Sequence, residues 1–312
     1  MLEPIEPFEP LSSQDLPEGE NWIYQVKWDG VRMLVYLFDK TIKLINRNLN
    51  DKTCQYPELL NRQLYCTAES FILDGEIIAL KKGKPSFHEI MKRDRLTHDL
   101  SIASAVTEIP IYYMVFDCLY LNGKWLTEES LDVRQQILRS VIMQSEMIQI
   151  VENFHDGDSL YTAIKSEGLE GVVAKDVTKP YAIGGKDGRW VKIKNYQDLI
   201  AVVGGVIIKG QQLSSLALGL YDQEGNLHYI GRVGRGNYKA AEWKAIQNFI
   251  SDYIQENSPF ANKTEHQQKM KWITPLFTVK VRYLEWTTSF TLRQPLLESF
   301  VKANPADCRF DH

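Results

Sequence analysis

The sequence lacks the features that define several classes of protein. Its four cysteines, Cys54, Cys66, Cys118 and Cys308, are scattered and form no C-x-x-C pair, which argues against a zinc module and fits a reducing compartment. No apolar run approaches membrane-spanning length, and the N-terminus has neither the basic nor the apolar region of a signal peptide. We therefore expect a soluble, cytoplasmic protein.

An excess of positive charge is also missing. The formal net charge is −4 over 312 residues, so any nucleic-acid surface must come from segregated charge rather than from the overall balance. Internal repeats and low-complexity linkers are absent from the sequence. The length suits one large domain or two ordinary ones, each with its own core.

The most informative stretch is KWDGVR at 27–32, which lies between two apolar segments that have the pattern of buried strands. A lysine between core strands is costly unless its amine has a partner or a chemical role. If strand alternation continues, Lys27 and Asp29 point the same way, Gly30 allows a turn and Arg32 returns to the same cleft. A lysine crowded by cations is a candidate nucleophile. An exposed hairpin with a solvated Lys–Asp pair is the alternative.

Two further strand-like segments carry paired charges. Asp74 and Glu76 share one face of Leu73–Ile77, where they suit a ribose hydroxyl and a hard divalent cation. Acids that flank a turn and bind backbone amides are the alternative. Lys192 and Lys194 also share a face, and two adjacent ammonium groups favour an anion such as phosphate. The alternative is an edge strand whose lysines prevent aggregation.

Three single positions complete the candidate site. Glu170 precedes a short buried strand, where it could hold a metal or cap a turn. Phe116 could stack on a base, although an aromatic ring in an apolar strand more often belongs to the core. Arg47 and Asn48 form a polar break at which a cation could face the cleft.

The character of the chain changes after about residue 195. Short strands then dominate, with one amphipathic helix at about 238–254, a pattern that suits a small barrel of the OB kind. This predicts two domains, 1–197 and 198–312, joined by a short hinge near 195–198.

Together these motifs resemble those of the ATP-dependent DNA ligases of the covalent nucleotidyltransferase superfamily. The matching motifs are KWDGVR at 27–32, Arg47-Asn48, LDGEI at 73–77, VFD at 115–117, EGVVAK at 170–175, WVKIK at 190–194, GRVGRG at 231–236, EWT at 285–287 and LRQP at 292–295. The likeness is greatest to the compact ligase module of bacterial end-joining ligases. It implies an α+β fold, with an adenylation (nucleotidyltransferase) domain followed by a small OB-fold β-barrel.

The resemblance also implies a role for each motif residue. Lys27 would attack the α-phosphorus of ATP to form a lysyl–AMP phosphoramidate, and Asp29 would orient Lys27 or a metal-bound water. Lys192 and Lys194 would bind the α-phosphate and favour the neutral amine of Lys27. The other implied contacts are Glu76 and Glu170 to ribose and Mg²⁺ (or Mn²⁺), Asp74 to the nucleotide, Phe116 and Val173 to the two faces of adenine, Gln25 to its amino group, and Arg32 and Arg47 to phosphates of the nick.

Two positions depart from the family pattern. Gln25 stands where glutamate is common, but an amide oxygen can still accept the hydrogen bond from adenine. The terminal R-x-D-K motif, which helps to bind the outer phosphates of ATP, falls on Val301–Asn304, so Lys302 is only a partial substitute. Residues Arg309–His312 are similar to the R-x-D-K motif but lie farther along the chain than the motif is expected. We therefore expect a slow or differently organised first step.

The expected substrate is nicked double-stranded DNA, and the expected partner is a Ku-type end-binding protein; the protein itself is expected to be a monomer. Only 26 residues precede Lys27. We therefore expect this chain to have neither an N-terminal DNA-clamping domain nor a nicotinamide-recognition domain ahead of the lysine. Candidate phosphate contacts are Lys186, Arg189, Lys209, Arg232, Arg235 and Lys239, each of which could equally be ordinary solvated surface. An RNA ligase, an mRNA-capping guanylyltransferase and a ligase-derived DNA-binding protein without turnover are the alternatives.

Overall fold

The computed structural model describes residues 2–262 and 270–310. The chain divides into two compact units, Met1–Asn195 and Tyr196–His312. Each unit has its own hydrophobic core. Within the described ranges, none of the helices has the length and apolar character needed to cross a bilayer.

In its described residues, the first unit contains two sheets and four α-helices. Its strands are β1 (Leu11–Ser13), β2 (Trp22–Val26), β3 (Val31–Phe38), β4 (Thr41–Asn46), β5 (Phe71–Lys81), β6 (Lys84–Pro85), β7 (Ile111–Leu121), β8 (Lys124–Trp125), β9 (Ile148–Ile150), β10 (Gly171–Asp176) and β11 (Trp190–Lys194). Its helices are α1 (Phe87–Asp94), α2 (Asp99–Glu108), α3 (Leu131–Val141) and α4 (Gly157–Glu167). The four-stranded sheet has the order β1-β11-β10-β2, and the seven-stranded sheet has the order β4-β3-β5-β7-β8, with β6 beside β5 and β9 beside β7.

Strand alternation gives each sheet one face toward helices and one face toward the other sheet. On the four-stranded sheet, Val172, Ala174 and Ile193 pack with the buried side chains of α4. On the opposite faces, Trp190 of β11 shares a cluster with Leu34 of β3. The candidate site therefore lies in the layer where the two sheets meet.

In its described residues, the second unit is an antiparallel sheet with one α-helix. Its strands are β12 (Gln197–Lys209), β13 (Gln212–Tyr221), β14 (Leu227–Val233), β15 (Ile254–Gln255), β16 (Met270–Tyr283) and β17 (Leu296–Val301), and its helix is α5 (Ala240–Ser251). The strand order is β14-β13-β12-β16-β15, with β17 beside β16. Trp243 of α5 anchors the helix, because its Nε1 donates to the carbonyl oxygen of Leu213 at 2.7 Å.

The linker differs from its prediction. Gln197 and Asp198 were expected in the hinge, but they already belong to β12 and pair in register with Tyr283 and Arg282. Their backbone conformation is fixed by the sheet of the second unit. Any hinge is therefore confined to residues before Gln197.

A fully buried ion pair ties β7 to α3. Both carboxylate oxygens of Asp117 accept from Arg134, with Nε–Oδ1 and Nη2–Oδ2 distances of 2.8 Å, and both side chains are 0% exposed. Arg134 also donates to the carbonyl oxygen of Glu129 at 2.7 Å. The pair fixes the start of α3 against the middle of β7.

Arg134→Leu should lower the free energy of unfolding by about 3–5 kcal/mol, because it leaves the buried carboxylate of Asp117 without its cation. The double variant Arg134→Leu/Asp117→Leu should recover most of that loss, since it removes both charges. Guanidinium-induced unfolding of the full chain measures the difference. A single variant as stable as the wild type would contradict the structural role given to the pair.

Candidate active site

Lys27 lies in the loop between β2 and β3, directly after the last residue of β2. The prediction that strand alternation continues through Lys27 and Asp29 is therefore wrong. The backbone N–H of Lys27 donates to the carbonyl oxygen of Gly171 at 2.9 Å, which fixes the loop against the start of β10. Because β2 and β3 belong to different sheets, the loop carries Lys27 to their junction.

The predicted turn at Gly30 is confirmed, and its geometry requires glycine. A Cβ at this position would lie 2.2 Å from the carbonyl oxygen of Ile77. Any other residue would push the loop away from β5. Gly30 thus holds the Lys27 loop close to the strand that carries Glu76.

Glu170 bridges two of the predicted lysines. Its Oε2 lies 2.6 Å from Nζ of Lys27, and its Oε1 lies 3.4 Å from Nζ of Lys194. Glu170 precedes β10 and Lys194 ends β11, so backbone pairing of these two strands brings the charges together. The side chain of Lys27 is 22% exposed and that of Glu170 is 6% exposed, which leaves the amine accessible from one side.

A row of side chains crosses the four-stranded sheet beside this cluster. Val173 of β10 is in register with Gln25 of β2 and with Lys192 of β11. Cross-strand partners project from the same face, so these three predicted residues line one surface. Burial, followed by the positive charges of Lys27 and Lys194, lowers the pKa of Lys192. The row therefore ends at a crowded cationic corner that favours an anion.

The seven-stranded sheet contributes Glu76. Its register partner on β3 is Arg32, and Asp29 and Glu170 are among the charges that act on it. Burial raises the pKa of Glu76 to about 8, although Lys27 and Arg32 oppose the shift. The structure thus brings Glu76 into the Lys27 cluster, as expected from the motif.

Asp74 has a different environment from the one predicted. Its Oδ1 and Oδ2 accept from Nε and Nη2 of Arg32 at 2.9 and 2.6 Å, and Oδ2 also accepts from the hydroxyl of Tyr181 at 3.0 Å. Arg32 donates further to the carbonyl oxygen of Phe8. Asp74 is 0% exposed. Asp74 and Arg32 therefore bind each other in this structure. The prediction had instead assigned Asp74 to ribose and Arg32 to a phosphate of the nick.

Phe116 is partly buried on β7 and packs edge to face on Trp190, with the ring centroids 6.0 Å apart. Lys175, which the sequence analysis did not single out, lies between these two rings, with Nζ 4.0 and 4.1 Å from their centroids. Lys175 is 2% exposed. Burial lowers its pKa to about 7, while Asp117 and Asp74 favour the charged form.

A chain of amides, also missed from the sequence, connects Gln25 to the backbone of Phe116. Nε2 of Gln25 donates to Oδ1 of Asn153 at 2.7 Å, Nδ2 of Asn153 donates to Oε1 of Gln135, and Nε2 of Gln135 donates to the carbonyl oxygen of Phe116 at 3.3 Å. An antiparallel bridge between Tyr24 and the residue after Asn153 holds that loop against β2. No local sequence pattern indicates these contacts, because their partners are far apart in the chain.

Arg47 is exposed and lines a cleft with Glu6, Glu9 and the glycine-rich loop at 184–188. Lys186 of that loop lies 3.2 Å from Glu9, and Arg189 is paired with Asp187 at 2.9 Å. Arg47 therefore lies on a mixed-charge surface that adjoins the cationic corner at Lys192, since Lys186, Arg47 and Lys192 all lower the pKa of Glu9.

The predicted basic residues of the second unit are exposed, namely Lys209, Arg232, Arg235 and Lys239. Lys302 is also exposed, just after the end of β17. Nε of Arg309 donates to the carbonyl oxygen of Ala306 at 2.8 Å. Asp311 and His312 of the terminal motif candidate lie outside the described residues.

Comparison with known sequences identifies the family. The family model described as "ATP dependent DNA ligase domain" matches residues 10–194, and the one described as "ATP dependent DNA ligase C terminal region" matches residues 209–301. The chain belongs to the ATP-dependent DNA ligase family. Its two units are the adenylation domain and the C-terminal OB-fold domain of that family, which confirms the predicted α+β fold class.

Curated relatives from the ATP-dependent DNA ligase family extend beyond the matched region. The multifunctional non-homologous end joining DNA repair protein LigD of Mycobacterium tuberculosis (strain ATCC 25618 / H37Rv) is 27% identical over 284 residues, which cover 89% of this chain and 36% of that protein. A probable DNA ligase of Dictyoglomus thermophilum is 26% identical over 307 residues, covering 88% of this chain and 52% of that protein. The chain therefore spans about a third to a half of the length of these relatives.

A solved structure of a ligase from this family shares the fold. Mycobacterial DNA ligase D complexed with ATP and MES aligns with a TM-score of 0.54 and 24% identity, covering 98% of each chain. A structure of Lig E DNA ligases, described as DNA binding with a minimal scaffold, aligns with a TM-score of 0.60 and 16% identity, covering 90% of this chain and 93% of that one.

The carboxylates near Lys27 fit a divalent cation bound together with a nucleotide. Among residues 2–262 and 270–310, no group of three or more His, Cys, Asp or Glu side chains is arranged to hold a metal ion. Glu76 and Glu170 lie close enough for the charge of Glu170 to raise the pKa of Glu76. Mg²⁺ commonly takes one or two protein carboxylates and completes its coordination with water and substrate phosphates.

Lys192→Ala and Lys194→Ala should each lower the single-turnover rate of lysyl–AMP formation by about two orders of magnitude, the usual loss for one preorganised charge donor. Lys165→Ala is the matched control, because Lys165 is an exposed lysine of α4, on the helix-covered side of the same sheet. Transfer of label from [α-³²P]ATP to the protein measures the rate. Near-normal rates in both β11 variants would refute the role given to this strand.

Proposed function

We propose that the protein is an ATP-dependent DNA ligase that seals nicks with 5′-phosphate and 3′-hydroxyl ends through a lysyl–AMP intermediate. The observation that carries the proposal is the position of Lys27, in contact with Glu170 and close to Lys192 and Lys194. A nucleophilic amine, two cations for an α-phosphate and two carboxylates lie at the junction of two sheets. That arrangement suits transfer of a nucleotidyl group.

In the first step, Nζ of Lys27 attacks the α-phosphorus of ATP. An N–P bond forms, and the bond from the α-phosphorus to the leaving oxygen of pyrophosphate breaks. Attack requires the unprotonated amine, so the ion pair between Lys27 and Glu170 must open and the ammonium proton must leave. Lys192 and Lys194 supply fixed positive charge where negative charge develops on the phosphoryl oxygens.

In the next two steps the 5′-phosphate of the nick takes AMP from Lys27, which restores the amine, and the 3′-hydroxyl then displaces AMP to close the strand. A divalent cation held by Glu76 and Glu170, Mg²⁺ or Mn²⁺, would offset charge on the transferring phosphoryl group. Phe116 and Val173 are proposed to contact the two faces of adenine, since both are partly exposed. Val173 belongs to the row that ends at Lys192, and Phe116 contacts Lys175, two residues farther along the same strand.

We further propose that the protein grips duplex DNA with exposed cations of both units, including Arg47, Lys209, Arg232 and Lys239. The similarity to LigD supports a role in end joining, with a Ku-type end-binding protein as partner. Four free cysteines support a reducing compartment, and the enzyme is proposed to act as a cytoplasmic monomer.

Lys27→Ala should form no lysyl–AMP adduct, because it removes the nucleophile while leaving the surrounding packing in place. Lys27→Arg should fail equally, since guanidinium keeps its proton at any working pH. Labelled ATP followed by denaturing electrophoresis reads out the adduct, and thermal unfolding verifies that both variants are folded. Transfer of label to a folded Lys27→Ala variant would show that another residue is the nucleophile.

The same assay, run with labelled GTP and then with nicked DNA or nicked RNA duplexes, tests the substrate. A ligase for DNA should take label from ATP and join the DNA nick. Adduct formation from GTP alone, or sealing of RNA alone, would support a capping-type enzyme or an RNA ligase instead. If the wild-type protein takes no label from either nucleotide but still binds nicked DNA, it is a DNA-binding protein without turnover.

A further inference from the structure

The amide chain that ends at Gln25 has one allowed direction. The carbonyl oxygen of Phe116 can only accept a hydrogen bond, so the amide of Gln135 must turn its NH₂ group toward it. The oxygen of Gln135 then faces Asn153, which donates its NH₂ group and turns its own oxygen toward Gln25. Gln25 meets that oxygen with its NH₂ group at 2.7 Å. Each link determines the next.

Reversal of any amide would bring two like atoms together. If Gln25 turned over, its oxygen would face the oxygen of Asn153, unless Asn153 and Gln135 also turned over. In that case the oxygen of Gln135 would face the carbonyl oxygen of Phe116. Gln25 is 2% exposed and Gln135 is 3% exposed, so water cannot readily compensate for the lost hydrogen bonds. The backbone carbonyl of β7 therefore fixes the amide orientation at β2.

The fixed orientation determines which atom of the Gln25 amide can form a hydrogen bond with a ligand. Because one N–H of the Gln25 amide donates to Asn153, the amide oxygen lies on the other side of the group, where it can act as an acceptor on the sheet face that also carries Val173 and Lys192. The 6-amino group of adenine can donate to such an oxygen. The 6-oxo group of guanine is an acceptor, so it would face another acceptor at that position.

We propose that Asn153 and Gln135 are positioning residues that make the nucleotide site select a 6-amino purine over a 6-oxo purine. This inference rests on the proposed function, because it requires the base of the nucleotide to lie against Gln25. Its anchor is the backbone of Phe116, whose ring is proposed to stack on the same base. The buried pair between Asp117 and Arg134 fixes the residues next to Phe116 and Gln135, so the anchor is rigid.

Two substitutions at Asn153 distinguish a role in orienting the amide of Gln25 from a role in stabilising the fold alone. Asn153→Asp keeps an oxygen that accepts from Gln25, so it should keep the preference for ATP even if the variant is less stable. Asn153→Leu removes that acceptor and leaves the amide of Gln25 able to turn over. Gln135→Leu should act in the same direction but less strongly, because it unlocks Asn153 without removing it.

The experiment measures the single-turnover rate constant and the half-saturating nucleotide concentration for adduct formation with ATP, GTP and purine riboside triphosphate, which lacks the 6-amino group. Wild type should prefer ATP, and Asn153→Leu should lower the ATP-to-GTP ratio of rate constant over half-saturating concentration about tenfold, the value of one hydrogen bond. Most of the change should appear in the half-saturating concentration of ATP. The advantage of ATP over purine riboside triphosphate should shrink in parallel, whereas Asn153→Asp should retain both preferences.

An unchanged ratio in folded Asn153→Leu and Gln135→Leu variants would overturn the inference while leaving the proposed function intact. Equal losses of preference in the Asp and Leu variants would also overturn it, because they would indicate a structural role alone. A wild-type protein that forms no adduct with any of the three nucleotides would overturn the proposed function and this inference with it. Thermal unfolding of every variant identifies losses that come from misfolding.

Discussion

The buried carboxylate of Asp74 is the constraint on which the layer between the two sheets depends. A charge that is 0% exposed is stable only when it is paired and hydrogen-bonded, and Arg32 and Tyr181 meet that need. Arg32 in turn holds the carbonyl oxygen of Phe8. The lead-in segment, β3, β5 and the segment that carries Tyr181 therefore converge on one carboxylate. The Lys27 loop enters β3 just before Arg32, so its end is fixed by the same pair.

Charge around Lys27 is balanced in a way that suits a nucleotide. Lys27, Lys192 and Lys194 crowd one corner, while Glu170 bridges two of them and Glu76 lies alongside. Burial makes ionisation of Glu76 unfavourable, which raises its pKa to about 8. Positive charge near Glu76 and negative charge near the lysines would each be stabilised there. An anionic phosphate and a cation thus satisfy the site better together than either does alone.

Local sequence pattern predicted the parts of this site that depend on local geometry. Alternation placed Asp74 with Glu76 and Lys192 with Lys194, and the glycine of KWDGVR predicted the turn at Gly30, but the clash that excludes a side chain there comes from Ile77 on another strand. Partners across the fold could not be predicted in this way. The hydroxyl of Tyr181 and the carboxylate of Asp74 are 107 positions apart, and Gln25 and Asn153 are 128 positions apart. A motif gives the order of charged residues, but the sheet register and loop path decide which charges pair.

The glutamine at position 25 illustrates why the surrounding partners matter for a motif. The family pattern that the sequence resembles has glutamate at this position, and both side chains can accept a hydrogen bond from an adenine amino group. In this chain a carboxylate at 25 would face the oxygen of Asn153, and the amide chain would have to reverse. Reversal would place the oxygen of Gln135 against the carbonyl oxygen of Phe116, in a buried position. The amide at 25 is therefore coupled to residues 135 and 153, and this departure from the motif preserves acceptor chemistry rather than losing it.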